Sequence, residues 1–107
     1  MAAYVLIVDD DAFMRRVLSD LLQEHGFATR EEESGEQALA ICRQQRPQAA
    51  ILDLVMPGID GAELCRILRS EAACKYLPIL LLTSRADKAS LINPFELGAD
   101  DYLSKPF

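Results

Sequence analysis

The chain has 107 residues, half of them apolar and 26% charged, with a formal charge of −6 at neutral pH. This length supports one domain, which buries roughly two-thirds of the surface its unfolded form exposes, enough for a core without metal or disulfide staples. The balance excludes a disordered chain, and eleven scattered Lys and Arg offer no basic patch for a nucleic-acid backbone.

The opening MAAYVLIVDD has no basic n-region, and its apolar run, Tyr4 to Val8, is too short for a membrane span. That run reads as a buried strand. Met14, Val17, Leu18, Leu21 and Leu22 then recur at helical spacing, with Arg15, Arg16, Ser19, Gln23 and Glu24 opposite, and Gly26 supplies a stop. Ala28 to Glu32 is mostly polar and fits an exposed edge strand, where charges discourage sheet-to-sheet pairing. Ser34 opens a capping box with Gln37, followed by a helix carrying Ala38, Leu39 and Ile41 that ends before Pro47.

Ala49 to Leu52 is the next strand. A third helix carries Leu64, Cys65, Ile67 and Leu68, and Ile79 to Leu82 is a further strand. A fourth helix is expected between Asp87 and Gly98. Pro94 falls within it and costs about 3 kcal/mol in a regular helix, so it should end or kink near Leu91 to Asn93. Tyr102 and Leu103 mark the last strand. The longer runs are apolar almost throughout, as expected of parallel strands covered on both faces. Alternating strands and helices predict an open, doubly wound α/β sheet, whose ligands bind outside the carboxyl ends of the strands. Cys42, Cys65 and Cys74 lack metal or redox spacing and read as buried thiols in a reducing compartment; the expected location is cytoplasmic.

Chemistry-bearing residues cluster at those strand ends. Val8 is followed by Asp9, Asp10 and Asp11, Leu52 by Asp53, Leu82 by Thr83 and Ser84, and Leu103 by Ser104 and Lys105. Converging carboxylates repel one another by a few kcal/mol near 4 Å at an intermediate effective dielectric (about 20), unless a cation joins them. An oxygen-only set completed by water suits Mg²⁺. One carboxylate can attack phosphorus, with a metal, an ammonium and a hydroxyl meeting the charge of the transferred group. Asp9, Asp10, Asp53, Thr83 and Lys105 supply that list. Asp11 reads as a helix N-cap and Asp60 as a turn residue before the third helix.

These residues resemble the receiver domain of response regulators in two-component signalling, the CheY type. Val8-Asp9-Asp10 is similar to its acidic pair, and Asp53-Leu54-Val55-Met56-Pro57-Gly58 to its phosphoacceptor strand and loop. Thr83-Ser84 resembles its switch hydroxyl and small neighbour. Leu97-Gly98-Ala99-Asp100-Asp101-Tyr102 leads to a closing Lys105-Pro106-Phe107. The resemblance implies a five-stranded parallel sheet in the order 2-1-3-4-5, with residues 1–107 as one receiver domain truncated after the fifth strand. It implies that Asp53 accepts a phosphoryl group from a sensor histidine kinase or phosphotransfer protein. Asp10, Asp53 and the Val55 backbone carbonyl would hold Mg²⁺, and Asp9 would act through a metal-bound water. Lys105 would pair with the acyl phosphate, its bond to Pro106 would be cis, and Thr83 and Tyr102 would switch for a downstream effector domain or protein.

Three departures from the pattern stand out. Val55 is apolar and Arg85 bulky where each borders the site, and Pro94 interrupts the fourth helix. The chain stops at Phe107, where the family continues into a fifth helix, so apolar surface near the first and last strands is expected. Either the chain is excised from a longer regulator or a homodimer covers the gap. Among other functions, a haloacid-dehalogenase-type phosphatase needs a second carboxylate where Val55 stands. A flavodoxin-like cofactor site is disfavoured by the charge of Asp9-Asp10-Asp11, and a pseudo-receiver by the intact acids, Thr83 and Lys105.

Overall fold

The computed structural model describes residues 3–83 and 98–104. The expected fourth helix with Pro94, together with Ser84, Arg85, Lys105, Pro106 and Phe107, lies outside the described residues. In chain order the elements are β1 (Val5–Val8), α1 (Ala12–Glu24), β2 (Thr29–Glu32), α2 (Gly35–Gln44), β3 (Ala49–Asp53), α3 (Gly61–Ser70), a 3₁₀ turn (Ala72–Cys74), β4 (Ile79–Thr83) and β5 (Asp101–Ser104). The strands form one parallel sheet in the order β2-β1-β3-β4-β5.

Alternation along each strand divides the core into two layers. Tyr4, Leu6 and Val8 turn to one face with Ala50 and Leu52, and pack with Ala38, Leu39 and Cys42 of α2 and Leu64, Cys65 and Leu68 of α3. Val5, Ile7, Ile51 and Leu82 form a smaller cluster with Leu18, Met14 and Leu22 of α1. Two buried faces explain why these strands are apolar at nearly every position. On the α1 face an open apolar groove of about 320 Å³ remains, lined by Val5, Leu22, Phe27, Ala49, Ile51 and Leu80 among others. Among the described residues this groove runs beside β1, β3 and β4.

The helix boundaries follow their caps. Asp11 caps α1, its carboxylate accepting from the amides of Phe13 and Met14. Ser34 Oγ accepts from the Gln37 amide at the start of α2, and Asp60 accepts from Glu63 at the start of α3. As an edge strand, β2 is half-exposed along most of its length.

One face of α1 differs from the expectation. Ser19, placed on the polar side, is 1% exposed, whereas Val17 and Leu21 are 42% and 49% exposed. Met14, Leu18 and Leu22 suffice to cover the sheet, and the adjoining stripe turns toward β2 rather than water. There the Ser19 hydroxyl lies 2.6 Å from Thr29 Oγ1, and Gln23 Nε2 donates to both oxygens. A satisfied polar network is buried at less cost than an isolated hydroxyl.

Candidate functional site

The site is built by strand register. Val8 pairs with Leu52 and Asp53 with Leu82. Asp9, one residue beyond β1, thus comes level with Asp53 at the end of β3, and Thr83 ends β4 one step beyond Leu82. Asp9 is fully buried and Asp53 is 7% exposed, while Asp10 faces water. One carboxylate oxygen from each of Asp9, Asp10 and Asp53 lies within 4.8 Å of the others.

Such close carboxylates repel at any dielectric the site could have, and a divalent cation removes that repulsion. The donor set is entirely oxygen, and its exposed member leaves room for water, which fits Mg²⁺ with its reluctance to dehydrate. Neither Asp11 nor Asp60 belongs to the cluster; both cap helices.

Local contacts fix the acids. Asp9 Oδ1 accepts from the Asp11 amide at 3.0 Å, and Arg15 Nη1 donates to the Asp9 carbonyl at 2.6 Å. Arg15 also reaches Glu31 on β2 at 3.6 Å, tying the acidic turn to the edge strand. Beyond Asp53, the Leu54 amide donates to the Leu82 carbonyl at 2.9 Å, and the Gly61 amide donates to the Leu54 carbonyl at 3.0 Å. Loop 54–60 therefore leaves and returns at one point. Val55 sits near its start and is 57% exposed.

Thr83 is fully buried, and its Oγ1 has no hydrogen-bond partner among the described residues. A buried hydroxyl left this way costs about 1–3 kcal/mol, an expense expected where the group serves a second state. Tyr102 on β5 is half-buried against the α2–α3 core layer and pairs in register with Leu81. Register also pairs Ser104 with Thr83. Lys105 follows Ser104 and lies outside the described residues.

Asp9, Asp10 and Asp53 thus come together with Thr83 one register step away, as their positions after apolar runs suggested. Sequence reasoning missed Arg15 and Gly61. Gly61 carried the clearest signal, as a glycine at the first position of a helix where no turn demands one.

Residues 5–107 match the response regulator receiver domain family, and the chain belongs to it. It is 40% identical over 107 residues to the DNA-binding response regulator MtrA of Mycobacterium tuberculosis, covering all of this chain and 46% of MtrA. The chain thus spans about half the length of the curated relatives it matches. Among solved structures it superimposes on the chemotaxis response regulator CheY4 of Vibrio cholerae with a TM-score of 0.91 and 33% identity, covering all of this chain and 89% of that one. The receiver domain of the sensor histidine kinase PA1611 from Pseudomonas aeruginosa gives 0.89 and 29%, covering all of this chain and 88% of that one. In that protein a magnesium ion is coordinated in the active site cleft. The chain is a CheY-like receiver domain of two-component signalling. No helix among the described residues is long and apolar enough to cross a membrane.

Proposed function

We propose that this receiver is a phosphorylation switch in which Asp53 accepts a phosphoryl group from a phosphohistidine of a sensor histidine kinase or phosphotransfer protein. The observation that carries the reading is the convergence of Asp9, Asp10 and Asp53, with oxygens within 4.8 Å, at the sheet edge where β3 ends. Asp10, Asp53 and the Val55 carbonyl would hold Mg²⁺, with Asp9 acting through a water of the ion. When bound, Mg²⁺ supplies positive charge to the transferred group.

In the transfer, a carboxylate oxygen of Asp53 forms the new bond to phosphorus. The bond from phosphorus to the imidazole nitrogen breaks, and its electron pair stays on the imidazole. Lys105 offsets the negative charge that arrives. The Thr83 hydroxyl, without a partner among the described residues, donates to a phosphoryl oxygen, and Tyr102 moves inward behind it. Two states separated by a few kcal/mol respond to such a change with a large population shift. A downstream effector domain or protein reads that shift, and residues 1–107 act as one receiver unit.

Amide NMR of the protein titrated with Mg²⁺ and then beryllofluoride tests the reading. Shifts at residues 9, 10, 53–55 and 83 that require Mg²⁺ and vanish in Asp53→Asn support it; spectra unchanged by both additions overturn it.

A further inference from the structure

We propose that Glu36, in the first turn of α2 and apart from the acids at the strand ends, is a positioning residue for the loop that carries the Val55 carbonyl. The inference rests on the metal reading above and deepens it.

Loop 54–60 is anchored at its base and by Met56, which is buried in the larger core layer. The Leu54 amide is tied to β4 and its carbonyl to Gly61, as described. The far side of the loop meets the start of α2. Glu36 Oε1 accepts a hydrogen bond from the Ile59 amide at 3.2 Å. At Gly58, with φ of +73°, an added Cβ would stand 2.9 Å from Glu36 Oε2, so carboxylate and loop backbone are in close contact. Gly35 touches the same segment, since a Cβ there would meet Ile59 Cβ at 2.9 Å and overlap its carbonyl.

The helix presenting Glu36 is itself rigidly held. Ser34 caps it, and Ala38, Leu39 and Cys42 are buried in the larger core layer. Val55 lies between the buried Leu54 and Met56, and Glu36 ties the far end of the same loop at Ile59. A carbonyl binds a metal well only when its loop is ordered before binding, because ordering it afterwards subtracts from affinity.

Glu36 is exposed, so water can replace its bond to the Ile59 amide when the carboxylate is removed. Folding stability should then change little while loop order changes. The negative charge of Glu36 could also attract a cation from a distance. Glutamine separates the two effects, because it keeps an acceptor for the Ile59 amide and carries no charge.

The test is a Mg²⁺ titration of the wild type, Glu36→Ala and Glu36→Gln, followed by amide NMR, with amide exchange at Gly58 and Ile59 and a thermal midpoint for each. Glu36→Ala is expected to weaken Mg²⁺ binding by about tenfold, with faster exchange at both amides and a midpoint close to wild type, while Glu36→Gln stays close to wild type. Wild-type affinity in Glu36→Ala, or equal weakening in both variants, overturns the positioning role. Where the wild type binds Mg²⁺, either of these results counts against this inference alone and leaves the metal reading standing. A wild type showing no Mg²⁺-dependent shifts overturns the metal reading and this inference with it.

Discussion

The Cβ that any other residue would bring to position 61 falls on the backbone carbonyl of Asp53. The first turn of α3 can therefore approach the end of β3 only as glycine. This contact closes loop 54–60 and sets the backbone from which the Asp53 carboxylate projects.

Gly61→Ala must push α3 and β3 apart. The expected cost is about 1–3 kcal/mol, the range for overpacking a well-filled site. Urea denaturation measures the loss, and a Mg²⁺ titration of the folded variant should show weakened binding. Unchanged stability and affinity would mean that the loop relaxes freely.

Thr83→Val should separate stability from switching. The hydroxyl is buried without a partner among the described residues, so its removal leaves stability unchanged or raises it by about 1 kcal/mol. The beryllofluoride-dependent shifts at Tyr102 should be lost at the same time. A marked drop in the urea midpoint would show that the hydroxyl is bonded in the resting state.

Arg69 near the end of α3 donates to four acceptors: the carbonyls of Gly98, Cys74 and Leu77 and the carboxylate of Asp100. Asp100 in turn accepts from the Ile79 amide. Lysine keeps the charge but cannot span that fork, so Arg69→Lys should cost about 2–4 kcal/mol in urea unfolding. Combined with Asp100→Ala, the losses should be smaller than their sum, because the two residues share one network.

Burial pushes the Cys42 thiol up to about 12, with Cys74 and Glu71 adding to the effect. Burial also raises Cys65 and Cys74. The native state keeps protons that the unfolded chain releases near 9. The stabilising contribution is therefore fully present below that pH and is lost as pH climbs toward about 12. Urea midpoints should fall through this range, and Cys42→Ala should flatten the decline. Alkylation of the native thiols near neutral pH should be slow and become complete in denaturant.

Much of the fold was legible because local pattern carried it. Uniformly apolar runs marked strands buried on two faces, and Asp11 and Ser34 stood where helix caps belong, whereas Asp60, read as a turn residue, proves to cap α3. The polar stretch before Ser34 announced the edge position of β2. The last strand was only half visible at Tyr102 and Leu103, because backbone pairing with β4, rather than side-chain pattern, extends it to Asp101 and Ser104. The acids were legible because polar groups directly after buried strands are costly without a purpose. Arg15, Glu36 and Arg69 were not, since their roles depend on partners brought near by the finished fold. Arg69 is 31 residues from Asp100, and Glu36 is 23 from Ile59; no local periodicity encodes such separations. The inward turn of Ser19 was misread for the same reason, its partner Thr29 lying on another element.

The central claim is that Asp53 is the phosphoacceptor of an intact Mg²⁺ site, and intact-mass measurement tests it most directly. Wild type and Asp53→Asn are incubated with acetyl phosphate, with and without Mg²⁺. The account predicts one added phosphoryl group on the wild type in Mg²⁺, none without the metal, and none on Asp53→Asn. An unmodified wild type in Mg²⁺, or an adduct that survives Asp53→Asn, would contradict it.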